Sequence, residues 1–515
     1  MGILNNMTEP TDLPRRMRDV TAIDPSARAL QIADRWHSWG DIAAGGEVLQ
    51  TVLGSMGASV PGAGVAVVMR NGASTVAATV SIVASNQAIL TLSDLVPNER
   101  LADTIRAVRA VAIVANPQDW TEATLASARD IGAAAISVEG DDPSTFAVIQ
   151  EAGYAAGDLV GRLHPGVALE MMTSGTTGPP KRIPLTYASL SAALDASRHY
   201  ASSAEEPLSL RKSVAVVALP MVHMGGVWTT LLNFAEGRAV AMLPKFQIDG
   251  WIELIREHRP IVANVPPAAL TMLLDRETEK ADLASLKALT VGTAPVSPEL
   301  AERFEATYEI SVLTVYGATE FAGGVAGWSL ADRRKHAQTK RGSVGRSHSN
   351  VEMRVVDRDS FAPLPFGDVG LLELRSEQLA IDSADPDGWV RTDDLATVDA
   401  DGFLWIKGRA DDAIIRGGFK VSAGQVAETL RTHPQIRDAA VVGMPDDRLG
   451  EIPYAAVELE NDADIDGNAI RGWLRDHLSA YQIPAQVLVV ESLPRSASLK
   501  VDSVGVRALL AEATG

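Results

Sequence analysis

The chain has 515 residues, of which 46% are hydrophobic and 22% are charged, and this length predicts two or more domains with separate cores. The formal net charge of −19 disfavours a nucleic-acid-binding protein, because phosphate backbones require clustered Lys and Arg. The absence of cysteine excludes disulfides, thiolate metal ligands and cysteine nucleophiles, and suits a reducing cytosol.

The start of the chain and its apolar runs give no sign of export or membrane insertion. Residues 1–18 contain no apolar stretch of the kind that secretory signals carry. Asn6 stands where N-myristoylation favours Ser or Thr. The longest apolar runs, such as Val214–Val222, are far shorter than a bilayer span. The sequence therefore predicts a cytoplasmic protein with no membrane partner.

Short apolar runs rich in β-branched residues alternate with segments of helical spacing through most of the chain. The predicted strands are Val65–Met69, Val111–Ala115, Val167–Met172, Val214–Leu219, Ala239–Leu243, Ile261–Val265, Leu289–Val291 and Val312–Val315. Helices are predicted at Trp251–His258, Ala268–Leu274 and Pro298–Tyr308. This alternation indicates an α/β fold with largely parallel sheets that helices cover on both faces.

The pattern changes near Val351 to strands and turns, with Asp387–Gly388 and Asp401–Gly402 suited to hairpin turns. A second compact unit follows, with a hairpin at 414–421, a helix at 423–432, strands at 439–442 and 454–459, a helix at 469–477 and a strand at 487–490. We therefore predict a large N-terminal domain over residues 1–408 with a β-rich subdomain, a hinge at 409–411, and a small α+β domain over residues 412–515.

The strongest local signal is a polar loop directly after a predicted strand: Thr173-Ser174-Gly175-Thr176-Thr177-Gly178-Pro179-Pro180-Lys181. Its glycines let backbone N–H groups approach a ligand, its hydroxyls donate hydrogen bonds and its lysine offsets negative charge, which together suit a polyphosphate. The segment does not fit the GxxxxGK[ST] pattern of a P-loop. Taken alone, the same residues also fit a polar turn without a ligand.

The loop resembles the phosphate loop of the adenylate-forming superfamily, which includes acyl-CoA synthetases, firefly-type luciferases and the adenylation domains of peptide synthetases. Six further segments resemble motifs of this superfamily in the same order: Leu219–Gly226 (acyl pocket), Val291–Pro295 (adenine turn), Tyr316-Gly317-Ala318-Thr319-Glu320, Gly388–Leu395 (ribose), Gly408–Asp412 with Gly417–Ser422 (hinge region) and Pro494–Lys500 (mobile lysine). The preserved order over residues 173–500 makes the resemblance far more specific than any single motif.

The resemblance implies a ligase that joins a carboxylic acid to coenzyme A with ATP and Mg²⁺. The acid and ATP first give acyl-AMP and pyrophosphate, and the thiol then displaces AMP. The implied catalytic residues are Thr319 at the α-phosphate, Glu320 as the Mg²⁺ ligand and Lys500 as a bridge between the carboxylate and the α-phosphate. Phosphate contacts are implied for Thr173, Ser174, Gly175, Thr176, Thr177, Gly178 and Lys181. Such donors offset the charge that builds up when two anions react.

The resemblance also implies a nucleotide site and an acyl pocket. Adenine and ribose contacts are implied for Gly292, Thr293, Ala294, Pro295, Tyr316, Gly317, Asp394 and Arg409, with the Tyr316 ring facing adenine and Asp394 accepting the ribose hydroxyls. The implied acyl pocket comprises Val222, His223, Gly225, Ala318 and Gly323. Taken alone, the carboxylate of Glu320 or of Asp394 also fits an ordinary solvated side chain.

The segment Val222–Trp228 favours a non-amino carboxylic acid as the substrate. Amino-acid-activating relatives place an Asp there, and this chain has no acidic residue in the segment, so a buried substrate ammonium would be left unpaired at high cost. His223 has no second His or carboxylate at ligand spacing and is predicted to line and gate the pocket rather than bind a metal. The pocket glycines either leave volume for a substrate or let two backbones pack closely.

The C-terminal motifs imply a domain that moves between the two half-reactions. Gly417 and Gly418 are implied to line the path of CoA, Lys420 to lie on the nucleotide side, and Asp411 to be the hinge. Several residues depart from the family pattern: Leu499 and Asp393 stand where glycine is usual, Arg182 stands where glycine follows the loop lysine, and Tyr187 stands where histidine is common.

Two alternatives to the ligase stay open, of which these departures suggest the first. One is an enzyme that adenylates poorly and mainly transfers a preformed acyl-AMP to CoA. The other is a non-catalytic protein that binds a nucleotide or an acyl-adenylate. The identity of the acid and the formation of a homo-oligomer also stay open at this point.

Overall fold

The computed structural model describes residues 12–138, 142–155, 157–173, 181–200, 208–380, 385–410, 413–416, 419–446, 448–461, 463–496 and 499–514. In chain order the first elements are α1 (Leu13–Ile23), β1 (Arg28–Ile32), β2 (Arg35–Ser38), α2 (Trp39–Ser55), β3 (Gly64–Val68), α3 (Ala73–Ala84), β4 (Ala88–Leu92), α4 (Asn98–Arg106), β5 (Ala112–Ala115), α5 (Glu122–Asp130), β6 (Ala134–Val138), β7 (Phe146–Gln150), β8 (Val167–Thr173), β9 (Lys181–Thr186), α6 (Tyr187–Tyr200), β10 (Arg211–Val217), α7 (Met224–Ala235), β11 (Arg238–Met242) and α8 (Ile248–His258).

The remaining elements are β12 (Val262–Val265), α9 (Pro267–Asp275), β13 (Ala288–Val291), α10 (Pro298–Tyr308), β14 (Ser311–Ala318), β15 (Gly323–Gly327), α11 (Leu330–His336), β16 (Gly345–Ser347), β17 (Glu352–Val356), β18 (Gly370–Arg375), β19 (Val390–Val398), β20 (Phe403–Arg409), β21 (Ala413–Arg416), β22 (Phe419–Ser422), α12 (Ala423–Arg431), β23 (Ile436–Asp446), β24 (Gly450–Leu459), α13 (Gly467–Leu474), β25 (Gln486–Val490) and α14 (Ser503–Thr514).

The strands in the described residues form four sheets, which confirms the predicted α/β fold. Their orders are β7-β6-β5-β3-β4-β8-β9, β10-β11-β1-β2, β12-β13-β14-β15-β16-β20-β19-β18-β17, and β22-β21-β24-β23 with β25 beside β24. Strands β3 to β6 and β8 run parallel, as do β12 to β14, and antiparallel strands extend both sheets. Parallel neighbours need crossover connections, and helices supply them here.

Helix α3 lies between two sheets, which explains its composition. Residues Ala73 to Val83 are all buried, and a helix that is apolar on every side is a core helix. The same core cluster contains Val65 and Ile89 of the seven-stranded sheet and Leu30 and Val240 of the four-stranded sheet. These two sheets therefore share one hydrophobic core.

Helix α10 has the bounds that the sequence predicts because its start and its end are both encoded locally. The Ser297 side chain accepts a hydrogen bond from the Leu300 N–H (3.2 Å), and Pro298 occupies the first helical position. The helix ends at Glu309, whose φ of 60° is left-handed. The predicted Asp-Gly turns are confirmed too, with φ of 81° at Gly388 and 80° at Gly402.

The residues after position 412 form their own buried clusters. Ile414, Val421 and Leu430 share one cluster with residues as far as Val487, and Ala456 and Leu510 belong to another. The predicted domain boundary and the hinge at 409–411 stay predictions. Among the described residues, no helix is long and apolar enough to cross a membrane.

Candidate active site

The motif residues of the N-terminal part follow the carboxyl ends of strands β10, β13 and β14. Val291 of β13 lies opposite Thr314 of β14 in a parallel pair, so the turn Gly292–Pro295 and the end of β14 leave the sheet side by side. The N–H of Ala218, just after β10, donates to Oδ1 of Asn264 (3.4 Å). Asn264 lies on β12, the edge strand of the sheet that contains β13 and β14. Ligands of open α/β sheets bind beyond the carboxyl ends of the strands.

The turn after β13 is strained and carries a hydroxyl that lacks a partner. Thr293 has a left-handed φ of 73°, which costs a non-glycine residue about 1–2 kcal/mol. Its Oγ1 is buried, with no hydrogen-bond partner among the described residues. A buried hydroxyl without a partner is unfavourable, so the turn offers an unused polar group to a ligand.

Three side chains from β14, β19 and β20 form a connected polar cluster. The Tyr316 hydroxyl donates to Asp394 Oδ2, and Arg409 Nη1 lies 3.7 Å from Asp394 Oδ1. Asp394 and Arg409 are register partners on β19 and β20. Burial, and then the Asp394 carboxylate, raise the pKa of Tyr316 well above its usual value, so the phenol stays protonated and keeps donating to Asp394.

Asp393 competes with Asp394 for the guanidinium of Arg409. Arg409 Nη2 lies 3.3 Å from Asp393 Oδ2, and the Asp393 side chain is 68% exposed. The N–H of Ala410 donates to the carbonyl of Asp393 (2.6 Å). The Asp393 side chain, which is absent from the usual glycine, therefore contacts Arg409, and the Asp393 backbone ties the chain leading to the predicted hinge to β19.

Glu320 lies in a short 3₁₀ turn, Thr319–Phe321, directly after β14. The N–H of Ala380 donates to the Glu320 carbonyl (2.9 Å) and fixes this turn against the β-rich subdomain. Within the described residues there is no group of three His, Asp or Glu side chains that could hold a metal. A single carboxylate fits Mg²⁺ held mainly by phosphate oxygens and water, since Mg²⁺ is seldom bound by an all-protein cage.

Lys500 of the C-terminal part lies near enough to His223 of the predicted acyl pocket for its charge to act on the imidazole. Burial lowers the pKa of His223, and the nearby Lys500 charge lowers it further, so the imidazole is neutral at neutral pH. Loss of hydration also lowers the pKa of Lys500, although its side chain still reaches solvent. Lys500 thus lies in a crowded but open cleft, and His223 Nε2 is buried with no partner among the described residues.

The loop that carries Lys500 explains the departure at Leu499. The N–H of Ser496 donates to the carbonyl of Lys500 (2.7 Å), and the N–H of Leu499 donates to the carbonyl of Ser496 (2.8 Å). This tight loop gives Leu499 a left-handed φ of 60°, a conformation that glycine adopts without strain. Leucine therefore occupies the glycine position at a conformational cost.

Leu499→Gly is expected to stabilise the protein by up to about 1 kcal/mol, because the relieved left-handed strain exceeds the added entropy of the unfolded chain. Denaturant titration of the variant and the wild type measures this difference. Val504→Gly, at an exposed helical position of α14, is the matched control and should destabilise by about 1 kcal/mol. Destabilisation by Leu499→Gly would contradict the strained loop.

The pocket glycines are sites of close packing rather than open volume. A Cβ at Gly226 would lie 2.0 Å from the Pro220 carbonyl oxygen, and one at Gly225 would lie 2.6 Å from Leu219 Cδ1. A Cβ at Gly323 would lie 3.1 Å from Trp228 Cδ1. Of the two interpretations that the sequence left open, the structure supports close approach, with Trp228 occupying the space in front of Gly323.

Two further residues of this region were not singled out from the sequence. Trp228 of α7 is 7% exposed, and His348 lies beside β15, where a Cβ at Gly324 would be 3.4 Å from its Cε1. Burial lowers the pKa of His348 to about 4, so it is neutral at physiological pH. Both residues lie far in sequence from Gly323, and no motif links them to it. Val222 and Ala318 are half-buried in the same region.

Much of the predicted phosphate loop and of the CoA segment lies outside the described residues. This applies to Ser174, Gly175, Thr176, Thr177 and Gly178, and also to Asp411, Gly417 and Gly418. Thr173 and Lys181 are paired at the ends of β8 and β9, the Lys181 side chain is exposed, and Lys420 belongs to β22.

Arg182 and Tyr187, which depart from the family pattern, both make structural contacts. Arg182 Nη1 donates to Glu170 Oε1 (3.2 Å), across the β8–β9 pair. The Tyr187 hydroxyl donates to the carbonyl of Gln87 (2.6 Å), and burial raises its pKa. Arg182 therefore ties β9, which flanks the predicted phosphate loop, to β8, and Tyr187 anchors the start of α6, which follows β9.

Comparison with known proteins places these features in a family. Residues 17–381 match the family described as "AMP-binding enzyme", and residues 425–500 match "AMP-binding enzyme C-terminal domain". A 4-coumarate–CoA ligase of Arabidopsis thaliana is 31% identical over 66% of this chain and 62% of its own length. An indoleacetate–CoA ligase of Aromatoleum aromaticum is 31% identical over 66% of this chain and 67% of its own. The alignment with the first relative thus spans less than two thirds of that protein.

Solved structures share the fold over nearly the whole chain. ATP-bound MatB from Rhodopseudomonas palustris superposes with a TM-score of 0.83 at 23% identity, covering 98% of this chain and 99% of that protein. An amide bond synthetase, McbA, from Marinactinospora thermotolerans gives a TM-score of 0.76 at 27% identity, covering 97% of this chain and 99% of that protein. The fold of this chain is therefore shared by solved structures over nearly its whole length.

Proposed function

Because the chain belongs to the AMP-binding enzyme family, we propose that it is an AMP-forming acid–thiol ligase. It activates a non-amino carboxylic acid with ATP as acyl-AMP and transfers the acyl group to coenzyme A. The observation that carries this proposal is the cluster in which the Tyr316 hydroxyl donates to Asp394 and Arg409 lies 3.7 Å from the same carboxylate, because it joins three of the family's motifs. Lys500, from the C-terminal part, lies near enough for its charge to act on His223 of the predicted acyl pocket.

In the first half-reaction a carboxylate oxygen attacks the α-phosphorus of ATP, and the bond to the β-phosphate oxygen breaks. Lys500 approaches both anions, and its charge stabilises the transition state as negative charge accumulates. Thr319 donates to the α-phosphate, and Lys181 with the adjoining loop holds the leaving pyrophosphate. Glu320 would hold Mg²⁺, which supplies further charge neutralisation when bound.

The nucleoside is held by the cluster around Asp394. Its carboxylate already accepts from Tyr316 and lies near Arg409, so its orientation is fixed before ATP arrives. A carboxylate held in this way accepts ribose hydroxyls with little loss of side-chain entropy. The turn Gly292–Pro295 follows the strand beside β14, and we assign it, with the Thr293 hydroxyl that lacks a partner among the described residues, to the adenine side.

In the second half-reaction the CoA sulfur attacks the acyl carbon, the C–O bond to AMP breaks, and the thiol proton is lost. Gly417, Gly418 and Lys420 would line this approach, and the C-terminal domain would rotate about Asp411 to present them. Asp411 at the hinge and these CoA contacts rest on the family resemblance.

The substrate is a carboxylic acid without an α-ammonium group. The segment Val222–Trp228 has no acidic residue, and both histidines beside the pocket, His223 and His348, have lowered pKa values. This segment would therefore leave a buried ammonium without a negative counter-charge.

The transfer-only alternative loses part of its support. This alternative rests on Leu499 and Asp393. The loop accommodates Leu499 in a left-handed conformation that is usual for glycine. Arg409 stays near Asp394 although it also contacts Asp393. Both half-reactions are therefore assigned to this chain. A non-catalytic binding protein would have no need of a lysine in the cleft.

Incubation of the purified protein with ATP, Mg²⁺, CoA and a panel of aryl, alkyl and dicarboxylic acids tests the proposal. Pyrophosphate release that requires an acid, with formation of the matching acyl-CoA, is the expected result. A protein that releases pyrophosphate with no acid of the panel, yet forms thioester from supplied acyl-AMP, would be the transfer-only enzyme. A protein inactive in both assays that still binds an acyl-adenylate would be the non-catalytic one.

Trp228→Leu is expected to shift acid preference towards larger acids. Removing the indole in front of Gly323 opens pocket volume, and contacts of this size change relative kcat/KM by about tenfold. The KM for ATP should not change. Trp251→Leu, which removes an indole that is 1% exposed in another core cluster, is the matched control. An altered ATP KM with unchanged acid preference would show that Trp228 does not border the acyl pocket.

A further inference from the structure

Among the described residues, two ion pairs join the N-terminal and C-terminal parts of the chain at one face. Arg303 Nη1 of α10 lies 3.1 Å from Glu460 Oε1, just after β24. Arg437 Nη1 of β23 lies 3.8 Å from Asp275 Oδ2, at the end of α9. Helices α9 and α10 pack against each other, so both pairs lie on the same side of the N-terminal domain.

One of these pairs continues into the C-terminal part. Arg437 Nη2 also lies 3.1 Å from Glu458 Oε2, and the Glu458 side chain is only 5% exposed. The other oxygen, Oε1, lies 3.2 Å from Arg495 Nη2. Asp275, Arg437, Glu458 and Arg495 therefore alternate in charge along one continuous chain of contacts, which we call the ion-pair relay.

The relay ends at the loop of the catalytic lysine. Arg495 Nη1 donates to the carbonyl of Leu499 (3.3 Å), the residue before Lys500. Arg495 Nη2 also contacts Asp438 Oδ2 (2.6 Å), and Arg431 holds the other oxygen of Asp438 (2.8 Å). Since the buried Glu458 and the half-buried Asp438 carboxylates fix the Arg495 guanidinium, the loop that presents Lys500 is fixed with it.

The carboxylate of Asp438, which contacts Arg495 of the relay, is charged at neutral pH. Burial alone would raise the pKa of Asp438, but the Arg431 and Arg495 guanidiniums outweigh it and leave the pKa lowered. Contacts between fixed charges of this kind depend on geometry and weaken with ionic strength where they reach the surface. Arg303 and Glu460, with side chains 45% and 30% exposed, form such a surface pair.

We propose that the relay from Asp275 to Arg495, together with the Arg303–Glu460 pair, positions the Lys500 loop and favours the domain orientation in which acyl-AMP forms. This inference rests on the proposed function and adds its conformational control. Rotation of the C-terminal domain for CoA transfer breaks Asp275–Arg437 and Arg303–Glu460 and leaves the inner pairs intact. Asp275 and Arg303 are thus positioning residues for the first half-reaction alone.

A charge exchange on the N-terminal side tests the relay. The double variant Asp275→Arg with Arg303→Glu keeps the net charge and replaces both attractions by repulsions. We expect acyl-AMP formation to fall about tenfold, since each exposed pair contributes a factor of up to about five. CoA transfer from supplied acyl-AMP should stay within about twofold of wild type, because that step uses the rotated orientation.

Two further variants separate positioning from general damage to the fold. Glu460→Arg added to Arg303→Glu restores an opposite-charge pair and should recover most of the acyl-AMP formation that Arg303→Glu alone loses. Arg256→Glu disrupts an ion pair with Asp282 (2.6 Å) inside the N-terminal domain and should leave both half-reactions unchanged. Equal loss of both half-reactions in the charge-exchanged variant, or no rescue by Glu460→Arg, overturns the proposal.

A distance measurement decides the matter independently of catalysis. The chain has no cysteine, so cysteines introduced at exposed Glu279 and Asn468 accept a fluorophore pair that spans the two domains. The charge exchange should shift the energy-transfer efficiency between the two fluorophores away from the value of the docked orientation, and so should added salt without the charge exchange. The combination of Glu460→Arg with Arg303→Glu should restore the docked value. An unchanged efficiency overturns the relay even if the enzyme is active, whereas a shift in a protein without ligase activity would refute the proposed function alone.

Discussion

Replacing Lys500 with alanine is expected to lower acyl-AMP formation from acid and ATP by about a hundred- to a thousandfold, as the loss of a charged group at a transition state does elsewhere. The lysine acts where two anions meet, so CoA transfer from supplied acyl-AMP should remain close to wild type. Separate assays of pyrophosphate release and of thioester formation from acyl-AMP measure the two effects. Similar losses in both half-reactions would mean that Lys500 maintains the fold or serves both steps.

The pH dependence of the first half-reaction provides an internal check on the same residue. Loss of hydration lowers the pKa of Lys500 below its ordinary value of 10.5, and the protonated form is the one that stabilises anions. The rate should therefore fall as pH rises through this lowered pKa, while CoA transfer lacks that decline. Lys500→Arg should retain part of the activity without the alkaline decline, because a guanidinium stays protonated.

Asp394→Asn is expected to raise the KM for ATP by about 10- to 150-fold, since hydrogen bonds to a charged acceptor contribute about 1.5–3 kcal/mol. The amide also loses its charge interaction with Arg409 and weakens the contact with Tyr316. The KM for the acid should change little. Initial-rate measurements with each substrate varied in turn distinguish these effects.

Asp393→Asn is the matched control for this variant, because Asp393 is the next residue and also faces Arg409. Its exposed side chain contributes little, so the KM for ATP should change less than about threefold. The assignment of Asp394 to the ribose would be contradicted if Asp393→Asn raised the KM for ATP more than Asp394→Asn does. It would also be contradicted if Asp394→Asn changed only the KM for the acid.

Elements defined by local chemistry could be predicted from the sequence. The predicted strand Val167–Met172 corresponds to β8, Val167–Thr173, and α10 begins at Pro298 because a capping serine precedes the proline. The parallel sheets follow from the alternation of such runs with helices. The order of the motifs gave the family, which the comparisons confirm.

Contacts between distant residues could not be predicted in this way. The hydroxyl bond from Tyr316 to Asp394 depends on how β14 and β19 meet across a nine-stranded sheet. Trp228 faces Gly323 only because α7 packs beside β15, and the sequence alone could not distinguish a glycine that opens a pocket from one that allows close packing. The relay joins four residues spread from position 275 to position 495, and its alternating charges appear only in the fold.

The most direct test of the ligase assignment follows one oxygen atom. An accepted acid labelled with oxygen-18 in both carboxylate positions is incubated with the protein, ATP, Mg²⁺ and CoA, and the nucleotide product is analysed by mass spectrometry. Attack of the carboxylate on the α-phosphorus leaves one labelled oxygen on the phosphate when the thiol displaces AMP, so the expected product is AMP carrying a single oxygen-18. Unlabelled AMP, or release of ADP and phosphate in its place, would contradict the acyl-AMP intermediate and with it the proposed function.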